Sequence, residues 1–167
     1  MKKIFSLPTW LVFGVGLVLL ISASVASIFS FEARLTTGVL LMLGTFLYPF
    51  AIVHALNDKS KVKHDVAPFN VCWILGVIGA ILLVIAQYIF EQDEIDLGLP
   101  GFIFIAVLVY VYLFTARFIK VMELRKEVQY SDCILLAMGL MFFPFNILFV
   151  HNRVKQIILS YNTVEAA

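Results

Sequence analysis

Charged side chains are scarce in this chain, and their scarcity excludes most soluble folds. Only 14% of its 167 residues are Asp, Glu, Lys or Arg, and 62% are hydrophobic. Soluble domains carry roughly a quarter charged residues. The formal net charge is +1, so the chain also lacks the excess of positive charge that is typical of nucleic-acid binding. Composition therefore predicts an integral membrane protein that contacts the lipid bilayer and binds no nucleic acid.

Catalytic and metal-binding groups are also few. The two cysteines, Cys72 and Cys133, lie far apart and belong to no CxxC or His-rich pattern. No Asp or Glu lies in the interior of an apolar run, and the serines of the first run have no His or Lys near them in the sequence. An intramembrane hydrolase or a proton pump needs carboxylates, an activated nucleophile or a bound metal. We therefore predict no enzymatic activity, no metal site and no cofactor.

Five apolar runs are long enough to cross a bilayer, which takes about 20 helical residues. They cover approximately residues 7–31, 35–56, 69–90, 102–119 and 133–150. The fourth run continues into RFIKVMELRKEV, which predicts an amphipathic cytosolic extension over about 117–130. The chain is thus predicted to be an all-α, polytopic membrane protein with a single domain, 1–167. The opening MKK could also begin a signal peptide, but the first run is too long for one, and we take it as a retained span.

The distribution of basic residues predicts the orientation of the chain. In a five-span arrangement nine of them fall on the side of the N-terminus, and only Arg34, Arg153 and Lys155 fall on the other side. By the positive-inside rule the N-terminus is then cytoplasmic and the C-terminus is outside, in a bacterial-type inner membrane. Because Arg153 and Lys155 follow the fifth run directly, a re-entrant fifth segment with a cytosolic C-terminus is the alternative.

Two of the apolar runs resemble each other. Residues 40–57, LLMLGTFLYPFAIVHALN, align without a gap with residues 135–152, LLAMGLMFFPFNILFVHN. Both segments keep a glycine five residues before a proline. Since a single span separates the first pair of spans from the second pair, the second pair would cross the membrane in the opposite sense. This is the pattern of a 2+1+2 inverted repeat, and chance similarity between hydrophobic helices is the alternative.

A proline inside each repeated segment predicts an interruption of the helix. Proline has no N–H, and its ring excludes the carbonyl four residues earlier, so Pro49 and Pro144 would free the carbonyls of Thr45 and Leu140. Interrupted helices at equivalent places can form a ligand site near the middle of the membrane, whereas a static kink that shapes helix packing is the simpler interpretation. The candidates for a ligand site or a hinge are Gly44, Thr45, Pro49, Gln87, Gly139, Leu140, Pro144 and Asn146.

Small residues in the first and third runs predict close packing between helices. They are Gly14, Ser22, Ala23, Ala26, Ser27, Gly76, Gly79 and Ala80. Since catalytic groups are lacking, we predict a structural or accessory subunit of a membrane assembly, which associates with itself or with other membrane subunits. A small-solute or ion facilitator that uses the two proline-broken helices is the alternative. A signalling component that docks through the basic segment 117–126 is a third, weaker hypothesis.

Two further side-chain patterns give local expectations. His54 and His151 fall at the ends of apolar runs, where an interfacial or solvated imidazole is expected. Tyr110, Phe114 and Arg117 lie along one helical face. This spacing permits a cation–π contact at the end of the fourth span, but ordinary interfacial chemistry is the more common explanation of such a pattern.

Overall fold

The computed structural model of the chain is helical throughout, and it describes residue 5 and residues 7–29, 31–60, 64–90, 98–141 and 146–165. Within these ranges no strand occurs, and the all-α prediction is confirmed. A 3-10 turn, Ser131–Cys133, stands directly before the fifth helix. The six helices are α1 (Thr9–Phe29), α2 (Phe31–Lys59), α3 (Ala67–Phe90), α4 (Gly98–Leu124), α5 (Ile134–Met141) and α6 (Asn146–Glu165).

The four long helices, α1 to α4, form an antiparallel bundle in which each helix packs against the next and α4 also packs against α2. Aromatic contacts show which ends meet. Phe50, late in α2, lies against Trp73, early in α3, with ring centroids 4.4 Å apart. Phe69 of α3 stacks on Phe114 of α4 at 5.2 Å. Helix α1 begins, α2 ends, α3 begins and α4 ends at the same end of the bundle, which we call the amino end.

Two of these helices are long and apolar enough to cross a membrane. They are the segments Ala67–Ala86 of α3 and Gly101–Leu124 of α4, and only 17% and 39% of their respective apolar windows are buried inside the protein. The core helix of a soluble protein would be mostly buried. The exposed apolar surface, which includes Val71, Ile78 and Ile105, is therefore compatible with contact with lipid.

Helix α4 ends at Leu124, so the helical extension predicted as far as residue 130 is wrong. Arg125 has a φ of 52°, and this left-handed backbone conformation stops a right-handed helix. The chain then folds back along α4 over residues 125–130. Arg117 holds this loop, because its Nε donates to the carbonyl of Val128 at 2.8 Å and its Nη2 donates to the carboxylate of Glu127 at 2.8 Å.

Arg117 also makes a cation–π contact, but not with Tyr110 or Phe114, which share its helical face. The guanidinium of Arg117 lies 4.9 Å from the ring centroid of Tyr130, in the loop after α4. Tyr110 and Phe114, on the helix itself, contact each other with their centroids 6.0 Å apart. This contact connects α4 with the segment that leads into α5.

Helices α5 and α6 form a hairpin that begins and ends at the amino end of the bundle. Lys120 of α4 donates to the carbonyl of Asp132, just before α5. Tyr161, late in α6, donates to the carbonyl of Met122 at 3.2 Å. An unbroken helix from residue 132 to residue 161 would be about 44 Å long, yet both ends contact the same turn of α4. The segment predicted as the fifth span, 133–150, is therefore divided between two helices that pack against each other.

The composition of α6 gives the physical reason for this return. Its buried side chains recur at helical spacing, at Ile147, Val150, Val154 and Ile157, and they pack against the bundle. The residues at 152, 153, 155 and 156 are polar or charged. An amphipathic helix of this kind has one apolar face to bury, and it lacks the 20 or so consecutive apolar residues that a crossing takes.

The hairpin brings residues 152 and 153 of α6 close to the start of α1 and the end of α4. The hydroxyl of Thr9 donates to the side-chain oxygen of Asn152, and Arg153 forms an ion pair with Glu123 at the end of α4. The first turn of α1, the end of α4 and this part of α6 are therefore close together, and the re-entrant alternative agrees with this geometry.

The two halves of the proposed inverted repeat also differ in structure. Residues 40–57 belong to the single helix α2, whereas residues 135–152 are divided between α5 and α6. Helices α5 and α6 pack against each other, so the second segment turns back instead of continuing as one crossing. In the described residues the likeness of the two segments is therefore one of sequence and not of helix boundaries.

Candidate functional site

The kink predicted in α2 is closed by side chains of the neighbouring helices. Helix α2 continues through Pro49, which is fully buried. Pro49 has no N–H to donate to the carbonyl of Thr45, four residues earlier, and the hydroxyl of Tyr112 in α4 donates to that carbonyl at 3.2 Å. Nε1 of Trp73 in α3 donates to the next carbonyl, that of Phe46, at 2.9 Å. Satisfied carbonyls of this kind are typical of a static kink that is packed within the protein.

The other candidates for a ligand site or a hinge do not converge on this kink. Gly44 is half-buried next to Thr45. Gly139 is exposed on α5, and a Cβ built there would have nothing within 4 Å, while Leu140 is fully buried. Helix α5 packs on α4 and α6, and it makes no extensive contact with α2 in the described chain. Pro144 lies outside the described residues. Gln87 and Asn146 belong to helices, but their side chains lie outside what the structure describes.

The small residues of the third run, which were predicted to pack closely, contact other helices of the same bundle. A Cβ at Gly76 would lie 2.5 Å from Cε1 of Phe46, and one at Gly79 would lie 2.9 Å from Cδ2 of Phe104. Ala80 is buried as well. This face of α3 therefore receives aromatic rings from α2 and α4, and it offers no surface to another chain.

The small residues of α1 are placed differently. A Cβ at Gly14 would meet nothing within 4 Å. Ser22 is exposed, and its hydroxyl donates to the carbonyl of Leu19 in its own helix at 2.9 Å. Val15 and Val18 are 56% and 65% exposed on the same side. The side chains of Ala23, Ala26 and Ser27 lie outside the described residues.

A buried polar site that sequence reasoning missed lies around Phe5, whose ring is 3% exposed. Its centroid is 6.5 Å from that of Tyr48 in α2 and 5.4 Å from that of His151 in α6. Nε2 of His151 is 3.3 Å from the carbonyl of Leu7. Because a carbonyl only accepts, Nε2 carries the proton and Nδ1 is an acceptor. Among the described residues, neither this Nδ1 nor the hydroxyl of Tyr48 has a hydrogen-bond partner.

The two histidines at the ends of apolar runs differ in their surroundings. His54 is half-buried, and its Nε2 lies 3.0 Å from Oδ1 of Asn70. His151 is fully buried, so the expectation of a solvated or interfacial imidazole is wrong there. Burial lowers the pKa of His151 below its ordinary value of 6.5; nearby Lys155 acts in the same direction, and the hydrogen bond to Leu7 opposes both. This imidazole is therefore neutral at pH 7.

Acidification is expected to destabilise the protein through His151. Between the lowered pKa of the folded state and the ordinary 6.5, the unfolded chain binds more protons than the folded one, so stability falls as the pH falls. The melting temperature in detergent should therefore decrease between about pH 7 and about pH 5.5. His151→Phe should remove part of this decrease, and His64→Phe is the matched control. An unchanged pH profile in His151→Phe would contradict the prediction.

Tyr112→Phe is expected to lower the free energy of unfolding by about 1–2 kcal/mol, because the carbonyl of Thr45 would lose a donor in a buried place. The same substitution should be less damaging in a Pro49→Ala background, since a residue other than proline supplies its own backbone N–H to that carbonyl. A double-mutant cycle by chemical denaturation measures the difference. Equal destabilisation in both backgrounds would show that the hydroxyl does not act on the carbonyl freed by proline.

The chemistry that these groups can perform is hydrogen bonding to a neutral molecule. Carbonyls, two phenolic hydroxyls and one neutral imidazole surround Pro49 and Phe5. No group of three or more His, Cys, Asp or Glu residues that could hold a metal ion occurs among the residues the structure describes. In comparisons with known proteins, the chain matches no family, no curated protein and no solved structure.

Proposed function

We propose that this chain is a non-enzymatic protein of a bacterial-type inner membrane and serves as a structural or accessory subunit of a membrane assembly. The observation that carries the proposal is the contrast between a closed interior and an open face of α1. The carbonyls around Pro49 are occupied by Tyr112 and Trp73, whereas the outward face of α1 around Gly14 and Val18 has no partner in the described chain.

In the proposed topology α1 to α4 cross the membrane, and the α5–α6 hairpin enters it from the amino end without crossing. Eleven of the twelve Lys and Arg residues belong, by their place in the chain, to the amino end, and only Arg34 belongs to the other. Five of the eleven acidic residues belong to that other end. By the positive-inside rule the amino end is cytoplasmic, and the C-terminus is then cytoplasmic as well.

The exposed side chains of α5 support a position of the hairpin within the lipid. Leu135 is 85% exposed, and Ile134, Met138 and Met141 are exposed on the same short helix. A cluster of apolar side chains that the protein itself does not cover commonly marks contact with lipid or with another protein. Backbone at membrane depth that does not cross is tolerated where it packs on protein, and α5 packs along α4.

Association through α1 is tested by the size of the purified particle. Gly14→Leu fills the place where a second helix could approach closely, so it should weaken self-association or co-purification at least about tenfold, while the melting temperature stays unchanged. Gly139→Leu is the matched control, since that glycine also has open space around it. A wild-type protein that is strictly monomeric and brings no partner through mild purification would remove the basis of the proposal.

The facilitator alternative needs an open polar path along the proline-broken helices. The two carbonyls at the α2 kink are bonded to Tyr112 and Trp73, and α5 makes no extensive contact with α2. These contacts favour the accessory subunit. Flux of a solute in proteoliposomes that is abolished by Pro49→Ala together with Pro144→Ala would reverse this preference.

A further inference from the structure

We infer that the loop after α4 forms, together with α4 itself, a binding site for the headgroup of an anionic phospholipid. Two surface cavities, of about 480 and 510 Å³, adjoin each other there, because Glu127, Val128 and Gln129 line both of them. We call the pair the loop cavity. Its charged lining carries one more positive than negative charge, and it consists of Arg117, Lys120, Lys126, Glu127 and Asp132. This excess matches the single negative charge of a phosphodiester.

Arg117 has hydrogen-bond donors that the described chain does not use. Its guanidinium is fixed, because Nε donates to the carbonyl of Val128, Nη2 donates to the carboxylate of Glu127, and the ring of Tyr130 lies 4.9 Å away. A guanidinium has five N–H groups, and the hydrogen bonds of the described chain use two of them. A guanidinium that is already held in place loses little conformational freedom when it binds an oxyanion, so this one is suited to a phosphate.

The two lysines of the loop cavity add further donors. In the described chain Lys120 donates to the carbonyl of Asp132, and an ammonium group has three N–H groups. Lys126 is exposed, and it forms no ion pair within the part of the chain that the structure describes. The carboxylate of Glu127 is paired with Arg117, and its side chain is 77% exposed. The loop cavity therefore has more N–H donors than its own carbonyls and carboxylates occupy.

The surface beside the loop cavity is apolar, which makes a lipid the occupant. Asp132, at the edge of the cavity, stands two residues before α5, whose side chains Ile134, Leu135 and Met138 are 49%, 85% and 52% exposed. A free phosphate would leave these side chains uncovered, whereas the acyl chains of a phospholipid can lie against them. In the proposed topology the loop cavity lies at the cytoplasmic end of the bundle, where basic pockets bind anionic headgroups, and α5 enters the bilayer from there. The site thus rests on the position proposed for the hairpin, and it is independent of the association proposed for α1.

The test compares phosphatidylglycerol with phosphatidylcholine of the same acyl chains. Binding of each lipid to the full-length protein in micelles of a neutral detergent is measured by native mass spectrometry. The wild type should bind phosphatidylglycerol at least about fivefold more tightly, the effect of one basic residue near an anionic lipid. Lys126→Gln should lose about fivefold of this affinity for the same reason, and its binding of phosphatidylcholine should be unchanged. Lys155→Gln is the matched control, because Lys155 belongs to α6 at the same end of the bundle and does not line the loop cavity.

Glu127→Gln should change the affinity in the opposite direction. Its carboxylate competes with a phosphate for Arg117, so removal of the charge should tighten the binding of phosphatidylglycerol about threefold, the effect of one exposed ion pair. Glu123→Gln is the control, because that carboxylate pairs with Arg153 instead, and it should leave the affinity unchanged. Both Lys126 and Glu127 are exposed, so the melting temperatures of their variants should equal that of the wild type.

Three results would overturn the site. They are equal affinities of the wild type for the two lipids, equal losses in Lys126→Gln and Lys155→Gln, and weaker binding in Glu127→Gln. Displacement of the lipid by an equal concentration of glycerol phosphate would show a site for a soluble phosphate and would overturn the lipid as occupant. Each of these results would leave the association through α1 standing, because that is tested by Gly14→Leu.

Discussion

A cysteine placed at Asn162 is expected to be protected from a membrane-impermeant maleimide in intact cells, together with one at Lys61, while a cysteine at Glu94 is labelled. The reason is the return of the α5–α6 hairpin. Tyr161 donates to the carbonyl of Met122 at the end of α4, so the residue that follows it lies at the amino end of the bundle. Glu94 belongs to the connection between α3 and α4, at the opposite end.

The measurement is all-or-none, because a position is either on the reagent's side of the bilayer or not. It needs a background in which Cys72 and Cys133, the two native thiols, are replaced by alanine. Labelling of all three sites after the membrane is permeabilised is the control for reactivity. Labelling of Asn162 from outside together with Glu94 would restore a fifth crossing, and it would exclude both the re-entrant hairpin and a cytoplasmic C-terminus.

The helices themselves could be predicted from the sequence because apolar runs are a local property. Helix α3, Ala67–Phe90, begins two residues before the predicted 69–90, and α1, Thr9–Phe29, lies within the predicted 7–31. The fifth apolar run is less simple, because the structure divides it between α5 and α6. A window over 133–150 counts the apolar residues of α5 and of the first turn of α6 together, whereas the reversal between them depends on contacts with α4. Arg153 and Lys155 were the one local signal of it.

For the site around Pro49, the sequence predicts the backbone carbonyl that is involved but not the side chain that donates to it. The position of Pro49 is sufficient to identify the carbonyl of Thr45 as the one to which residue 49 donates no backbone hydrogen bond. The donor itself, Tyr112, is 67 residues away, and no spacing rule connects the two. Phe5 and His151 are still further apart in the chain, and a histidine at the end of an apolar run is most often solvated. Only the tertiary arrangement shows that it is buried against an N-terminal ring.

Gly76→Leu is expected to lower the free energy of unfolding by about 3 kcal/mol, at the upper part of the range for overpacked cores. The Cβ alone would come within 2.5 Å of Cε1 of Phe46 and 3.4 Å of Cγ1 of Val107. Phe46 has little freedom to move away, since its ring is 3% exposed and packs against Phe104 with centroids 6.3 Å apart. Helices α2, α3 and α4 would have to separate.

The control is the same substitution at Gly139, where a new side chain also meets open space. Leucine is a better helix former than glycine by roughly 0.5–1 kcal/mol, so Gly139→Leu should be neutral or slightly stabilising, and the difference between the two variants isolates the packing term. Chemical denaturation gives the free energies. Trp73 reports the site, because its Nε1 is bonded to the carbonyl of Phe46 and its fluorescence should change in Gly76→Leu alone. Equal stabilities of the two variants would mean that α3 does not pack on α2 and α4 through this glycine, and that its small-residue face is open to a partner after all.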